Sequence, residues 1–236
     1  MFKRPTWLRG SLVSRLDDTV VMGRLDTLVD LILKAPLNLS GFRSDEALWM
    51  QGIYDAVQTV QEINLFEVQT AVDIGSGAGF PGLVLAILAP NVRWTLIEAR
   101  EKRAKYLEHM VDILDVGNVG VICGRAEEIV GDEGDLREYA EVVTARAIGS
   151  LRVALELSMP YLKVGGKGFF PKGRKQVALE IPSAKDLCLR LGGEDLTVSL
   201  PYGDGEGSQI IVVTKTTRTP REFPRRWKKL GSPVSG

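Results

Sequence analysis

Asp73, Gly75, Gly77, Gly79 and Glu98 are the residues whose types and spacing speak most directly of chemistry. The stretch around the first four reads Val72-Asp73-Ile74-Gly75-Ser76-Gly77-Ala78-Gly79-Phe80-Pro81-Gly82. Glycines at alternate positions allow backbone turns that side chains disfavour, and they let a ligand lie against the main chain. Thr70–Ile74 is an apolar run of strand length. Pro81 suits a first helical turn, with φ preset and no amide lost, so a helix is expected over Pro81–Leu88. Strand, glycine turn and helix together open an α/β nucleotide-binding unit.

The reading frame of the turn separates two kinds of nucleotide. Gly77-Ala78-Gly79-Phe80-Pro81-Gly82 satisfies the dinucleotide spacing G-x-G-x-x-G, but the first glycine of that pattern follows its strand directly, and here that residue is Gly75. Counted from Gly75, the sixth position is Phe80. Asp73 is expected at the carboxyl end of the first strand and Glu98 at the end of the second. In an open parallel sheet the ligand lies beyond those ends. A carboxylate there can accept both hydroxyls of a ribose. Neighbouring carboxylates suit a cationic ligand and repel a pyrophosphate, which favours S-adenosylmethionine, a sulfonium carrying adenosine, over NAD.

The elements that must position these groups follow from periodicity. Residues 1–65 read as helices: Leu12, Leu16, Val20 and Val21 recur at helical spacing, as do Leu25, Leu28, Leu31 and Ile32, ending at Pro36. A further helix starts at the N-cap Ser44, with Ala47 at its third position, and runs through Trp49, Ile53, Val57 and Val60. From residue 70, strands are expected at 70–74, 93–97, 119–123, 142–145, 167–170, 196–200 and 210–214. Helices are expected at 101–114, 151–162 and 176–191, the last bent at Pro182. Gly165-Gly166 reads as a turn, and residues 203–207 as the glycine-rich loop of a closing antiparallel pair. Alternation of strands and helices implies an α/β fold: a mostly parallel seven-stranded sheet with helices on both faces and an N-terminal helical cap. The divisions are 1–65, 66–214 and a basic tail, 215–236.

Composition bounds the function. The 236 residues are 44% hydrophobic and 25% charged, ordinary for a soluble domain. No apolar run approaches the ~20 residues of a membrane helix, and Met1–Pro5 lacks a secretory core, so a cytoplasmic location is expected. Cys123 and Cys188 have no metal-type spacing, no metal site is expected, and both suit a reducing compartment. His109, the only histidine, falls mid-helix among charged residues and reads as structural or solvated. The net charge is zero, yet residues 214–236 hold seven Lys/Arg against Glu222 alone. A basic tail on an acidic body points to a phosphate-rich partner, the alternative being a solvated, frayed terminus.

These residues, taken together, resemble the class I methyltransferases, and more closely the RsmG (GidB) family of bacterial 16S rRNA guanine-N7 methyltransferases. The resemblance rests on Asn38-Leu39-Ser40, Ile53-x-Asp55, Asp73 to Gly82, Glu98-x-x-x-Lys102-Arg103, Arg125-Ala126-Glu127-Glu128, Ala145-Arg146-Ala147, Lys172-Gly173 and Phe223-Pro224-Arg225. It implies a Rossmann-like class I methyltransferase fold and S-adenosylmethionine as cofactor. It implies that Asp73, Gly75, Gly77, Gly79 and Phe80 line the cofactor, that Glu98 holds the ribose and that Ala126 and Glu127 meet the adenine. Arg146 would sit beside the methyl-transfer site, touching cofactor and acceptor, and Lys172, beyond the fifth strand, near the target nucleotide; these two are the catalytic candidates. The implied partner is 16S rRNA or the small ribosomal subunit, reached through the tail, 215–229, by a monomer.

Three departures stand out. Gln51 and Gly52 replace the family's usual Arg-His pair, Pro171 precedes Lys172, and the C-terminus lacks the usual Lys-x-Pro-Leu. Lys3, Arg4 and Arg9 could compensate for the lost donors. An acceptor of another class, protein or small molecule, and a non-catalytic nucleotide- or RNA-binding module are the alternatives. The chemistry implied is direct in-line displacement. Guanine N7 carries a lone pair and no proton, so no general base is needed. The chain has neither the Pro-Pro-Tyr element of exocyclic-amine methylation nor a Pro-Cys nucleophile. The only His and both Cys are accordingly left out of the expected site.

Overall fold

A computed structural model describes residues 4–131, 135–203 and 207–230. Lys3, loop positions 204–206 and the terminus from 231 lie outside the described residues. The chain packs as two compact units, residues 1–69 with 76–124, and residues 70–75 with 125–236. The strands β1 (Thr70–Ile74), β2 (Arg93–Glu98), β3 (Val119–Cys123), β4 (Ala140–Ala145), β5 (Leu162–Gly173), β6 (Thr197–Val198) and β7 (Ser208–Thr214) form a mostly parallel sheet of order β3-β2-β1-β4-β5-β7-β6, in which β7 runs antiparallel to β5 and β6. The fold is therefore the expected Rossmann-like, mostly parallel α/β sheet. Among the described residues no helix is long and apolar enough to cross a membrane.

In the first unit, α1 (Thr19–Leu33) is preceded by a short 3-10 turn, Val13–Asp17. The expected single helical run is broken because Asp18 leaves helical geometry and caps α1, accepting from the amides of Val20 and Val21. That helix stops at Leu33, short of Pro36. Ser44 caps α2 (Asp45–Leu48) through the amide of Ala47, as its sequence position implies. The helix then widens into a π-helical stretch, Trp49–Tyr54, before α3 (Asp55–Thr59). After the glycine turn comes α4 (Gly82–Leu88), with Pro81 as its N-cap residue rather than its first helical one. The strand β2 (Arg93–Glu98), α5 (Glu101–Leu114) and β3 (Val119–Cys123) lie where periodicity puts them. Each residue of α4 is buried, which accounts for its unbroken apolar sequence.

In the second unit, β1 (Thr70–Ile74) pairs in parallel with β4 (Ala140–Ala145), after the short α6 (Ala126–Ile129). The helix α7 (Leu151–Ser158) gives way to a 3-10 turn, Met159–Tyr161, so the expected 151–162 helix is shorter. The strand β5 (Leu162–Gly173) is far longer than 167–170. Gly165 and Gly166 do not end a hairpin: both exchange backbone hydrogen bonds with Lys215 and the strand runs on. At its other end β7 (Ser208–Thr214) pairs residue by residue out to Gly173 opposite Ser208. The helix α8 (Arg174–Arg190) passes through Pro182 without interruption, and β6 (Thr197–Val198) edges the sheet.

The basic tail is not frayed over its described length. Lys215 is fully buried, donating from Nζ to the carbonyls of Met159 and Leu162 at 2.9 and 2.6 Å and pairing with Glu138. Burial pulls its pKa down. Phe223 is buried. Arg137 donates to the carbonyls of Thr219, Pro220 and Phe223 at 3.1 Å each. Arg225 forks onto Glu156 at 2.6 Å through both Nε and Nη2. Lys215 and Arg225 thus hold the tail to its own unit, while Arg221, Arg226, Lys228 and Lys229 are exposed.

Candidate functional site

The glycine turn follows β1 because three consecutive odd positions take left-handed geometry, with φ of 73° at Gly75, 53° at Gly77 and 90° at Gly79. Two are also sterically required. A β-carbon at Gly75 would stand 2.4 Å from Ile148 Cγ2, and one at Gly79 would stand 2.9 Å from Leu83 Cβ. The backbone of the turn is thus the surface itself, with no room for side chains.

Within the first unit, the turn is tied to the end of β2. Ser76 donates its amide to the Ile97 carbonyl at 3.0 Å, and Gly77 donates its amide to Glu98 Oε2 at 3.0 Å. The other oxygen of Glu98 accepts the Arg100 amide at 2.8 Å. A carboxylate has about four lone-pair positions, so Glu98 retains acceptor capacity for two hydroxyls. Phe80, the turn's last side chain, is buried against Gly52 and edge-on to Phe42 at 6.4 Å between centroids. The π-helical widening carries Gly52 to that place. Gly52, noted as a departure from the family's usual histidine, is the residue that leaves space for the Phe80 ring.

Within the second unit, the β1–β4 pairing sets Asp73 opposite Thr144 and Ile74 opposite Ala145. Gly75 and Arg146 are therefore the next residues on neighbouring parallel strands, where the strand order reverses between β1 and β4. Asp73 is fully buried and accepts the Thr144 hydroxyl at 2.6 Å. Its carboxylate is thereby held at the carboxyl end of β1, beside the neighbouring strand. Arg146 is half-buried. It opens a loop under backbone strain: Ala147 has φ of 56°, a region an alanine disfavours, and Gly149 has φ of 126°. Ile148, packed on Gly75, and Thr144 are site-building residues that no sequence signal beyond proximity to Arg146 marks.

Lys172 differs from its expected placement. It lies inside β5, paired opposite Gln209, because β7 extends the strand beyond 170. Its side chain is 9% exposed, and its ammonium pairs with Glu180 Oε2 at 2.9 Å and donates to the Gly149 carbonyl at 2.8 Å. Glu180 also accepts the Leu151 amide. Lys172 and Glu180 together clamp the loop that begins at Arg146.

Ala126 and Glu127 start α6. The Ala126 carbonyl accepts the buried Tyr161 hydroxyl at 2.7 Å. Burial raises the Tyr161 pKa well above the ordinary range, so it stays a donor. The Glu127 side chain is 6% exposed and is held by Arg125 Nε. Arg125 in turn lies over the ring of Trp227, 4.2 Å from its centroid.

Within the first unit, a turn tied by the Gly77 amide to a strand-end carboxylate that keeps spare acceptor capacity fits the ribose of an adenosine ligand. The family model for GidB, described as rRNA small subunit methyltransferase G, matches residues 23–204. A ribosomal RNA small subunit methyltransferase G from Pseudothermotoga lettingae is 36% identical over 217 residues, 92% of each chain. Another, from Alkaliphilus metalliredigens, is 33% identical over 216 residues, 89% of each chain. Among solved structures, a SAM-dependent O-methyltransferase from Thermotoga maritima shares the fold at a TM-score of 0.54 and 16% identity, covering 82% of this chain and 72% of that one.

Proposed function

The chain belongs to the GidB family, rRNA small subunit methyltransferase G, and from that premise we propose that its methyl acceptor is N7 of a guanosine in a loop of 16S rRNA. It is an S-adenosylmethionine-dependent rRNA methyltransferase. The observation that carries the site assignment is the Glu98 carboxylate bonded to the Gly77 amide at the glycine turn.

When bound, S-adenosylmethionine would supply a sulfonium methyl open to in-line attack by the N7 lone pair, the N7–C bond forming as the C–S bond breaks and S-adenosylhomocysteine leaves. Gly75, Gly77 and Gly79 present backbone rather than side chains to the cofactor, with Phe80 closing the turn. Glu98 holds the ribose hydroxyls with its remaining lone pairs. Ala126 and Glu127 meet the adenine, the Ala126 carbonyl being oriented by Tyr161. Asp73 acts from behind, keeping β1 and β4 in register through Thr144. Arg146 touches the reacting groups: its guanidinium can donate to guanine O6, leaving N7 toward the methyl. No proton has to be taken from N7, so the residues' work is positioning, a contribution that can reach ~7–11 kcal/mol. Lys172 is assigned as a positioning residue for the Arg146 loop. The exposed cations at 221–229 meet RNA phosphates, and the protein works as a cytoplasmic monomer.

The test uses methyl-labelled S-adenosylmethionine and small-subunit RNA lacking the modification. Label is expected in 7-methylguanosine of a single loop. Arg146→Ala is expected to bind the cofactor within a few-fold of the parent while losing nearly all transfer. Label in another nucleoside, or in protein, would refute the acceptor assignment, and full turnover by the Arg146 variant would remove that residue from the mechanism.

A further inference from the structure

We propose that the ring of Trp227 is a stacking platform for one unpaired base of the RNA, set beside the start of α6, which carries Ala126 and Glu127. The inference rests on the rRNA-methyltransferase reading for the identity of its ligand. Trp227 is 54% exposed, whereas Trp49 and Trp94 are 3% and 2% exposed. A large aromatic left half in solvent forfeits apolar burial, and only a ligand would recover it.

The exposure is not fraying. The chain just before it is fixed by the fork of Arg225 on Glu156 and by burial of Phe223. One side of the ring already carries a partner, the guanidinium of Arg125 at 4.2 Å. Arg125 is itself fixed by Glu127, 6% exposed, so the stack has a rigid foundation. Arg226, Lys228 and Lys229 flank the ring and are exposed. An aromatic face interleaved with cations matches the chemistry of single-stranded nucleic acid, in which bases stack and phosphates are neutralised. An apolar protein partner would be repelled by the same charge density. Because Arg125 touches both the ring and Glu127, a base on Trp227 would sit one side chain away from the adenine-binding residues.

The experiment titrates the full chain with an unstructured RNA oligonucleotide at several salt concentrations, reading tryptophan fluorescence and affinity. The parent protein is expected to be quenched on binding. Trp227→Ala should lose affinity by about 5- to 100-fold, the range set by one stacked base, with the salt slope unchanged. Trp227→Phe should recover most of that loss, while Lys228→Ala with Lys229→Ala should lower the slope instead. Thermal melts establish that each variant is folded; the phenylalanine variant provides the reading if alanine is not. Parental affinity in Trp227→Ala, a changed salt slope in it, or equal Trp227-dependent binding of an acidic peptide would overturn the platform. Trp227-dependent RNA binding without any methyl transfer would leave the platform standing and defeat the methyltransferase acceptor instead. Transfer with Trp227-independent oligonucleotide binding would do the reverse.

Discussion

The ring of Phe80 fills the space that a side chain on Gly52 would need: a β-carbon there would stand 2.7 Å from Phe80 Cζ. The contact links the π-helical stretch of the N-terminal segment to the last side chain of the glycine turn. Gly52 is one of the two positions at which the family's usual Arg-His pair is missing. Glycine at 52 leaves room for the tip of the Phe80 ring, whose Cζ and Cε1 stand 2.7 and 2.8 Å from where a β-carbon would be.

Gly52→Ala should force the Phe80 ring aside. The expected cost is about 1–3 kcal/mol of stability, as for other overpacked sites, with weaker S-adenosylmethionine binding because the turn moves with the ring. Urea melts and calorimetry check the two effects. Unchanged melts and unchanged affinity would mean that the ring relocates freely.

Thr144→Val removes the hydroxyl that Asp73 accepts at 2.6 Å in a fully buried setting. Loss of one partner of a buried polar pair costs about 1–3 kcal/mol. Because the pair sits two residues before Gly75 on one strand and two before Arg146 on the other, cofactor affinity should fall along with stability. Thr144→Ser, which keeps the donor, should recover most of both; equal damage from serine and valine would assign the effect to packing.

Lys172 and Glu180 should behave as one unit. Their 2.9 Å ion pair is nearly buried and both grip the loop after Arg146, at the Gly149 carbonyl and the Leu151 amide. Lys172→Ala and Glu180→Ala should each lower kcat with smaller changes in RNA affinity. The double variant should be little worse than either, a coupling of about 0.5–3 kcal/mol. Additive losses would show that Lys172 acts on the nucleotide independently of Glu180.

Asp18 makes one part of the fold pH-dependent. The amides of Val21 and Val20, with a contribution from Arg15, hold its carboxyl below the ordinary aspartate range. A depressed pKa contributes stability above the unfolded value that is lost as pH falls through the folded one. The melting temperature of the parent should exceed that of Asp18→Ala by a constant margin down to about pH 5, and the margin should close at lower pH. A margin independent of pH would assign the cap's effect to something other than the charge.

Much of the architecture was legible in the chain. The strands after residue 70 alternate with helices because apolar runs of strand length alternate with amphipathic ones, and α5 spans the predicted 101–114. The extents of β5 and of the helix before it were not legible. Gly165 and Gly166 read as a break, yet β7 supplies partners on either side, and ladder pairing outweighs local turn preference. The tail misled in the same way. Its lysines and arginines are alike in composition, and only packing divides buried Lys215 and half-buried Arg225 from exposed Arg221, Arg226, Lys228 and Lys229.

The glycines at 75, 77 and 79 and the carboxylate at 98 were determined by the sequence alone, because a side-chain-free turn and a strand-end acid are properties of residue type and spacing. Tertiary structure decided which groups stand behind them. Asp73 turns inward because a buried hydroxyl on the neighbouring strand is the partner that offsets its desolvation. Gly52 has its meaning through Phe80, Lys172 through Glu180, and Trp227 through Arg125. Each of these pairs joins residues from 8 to more than 100 positions apart, and no local pattern encodes a contact that only folding creates.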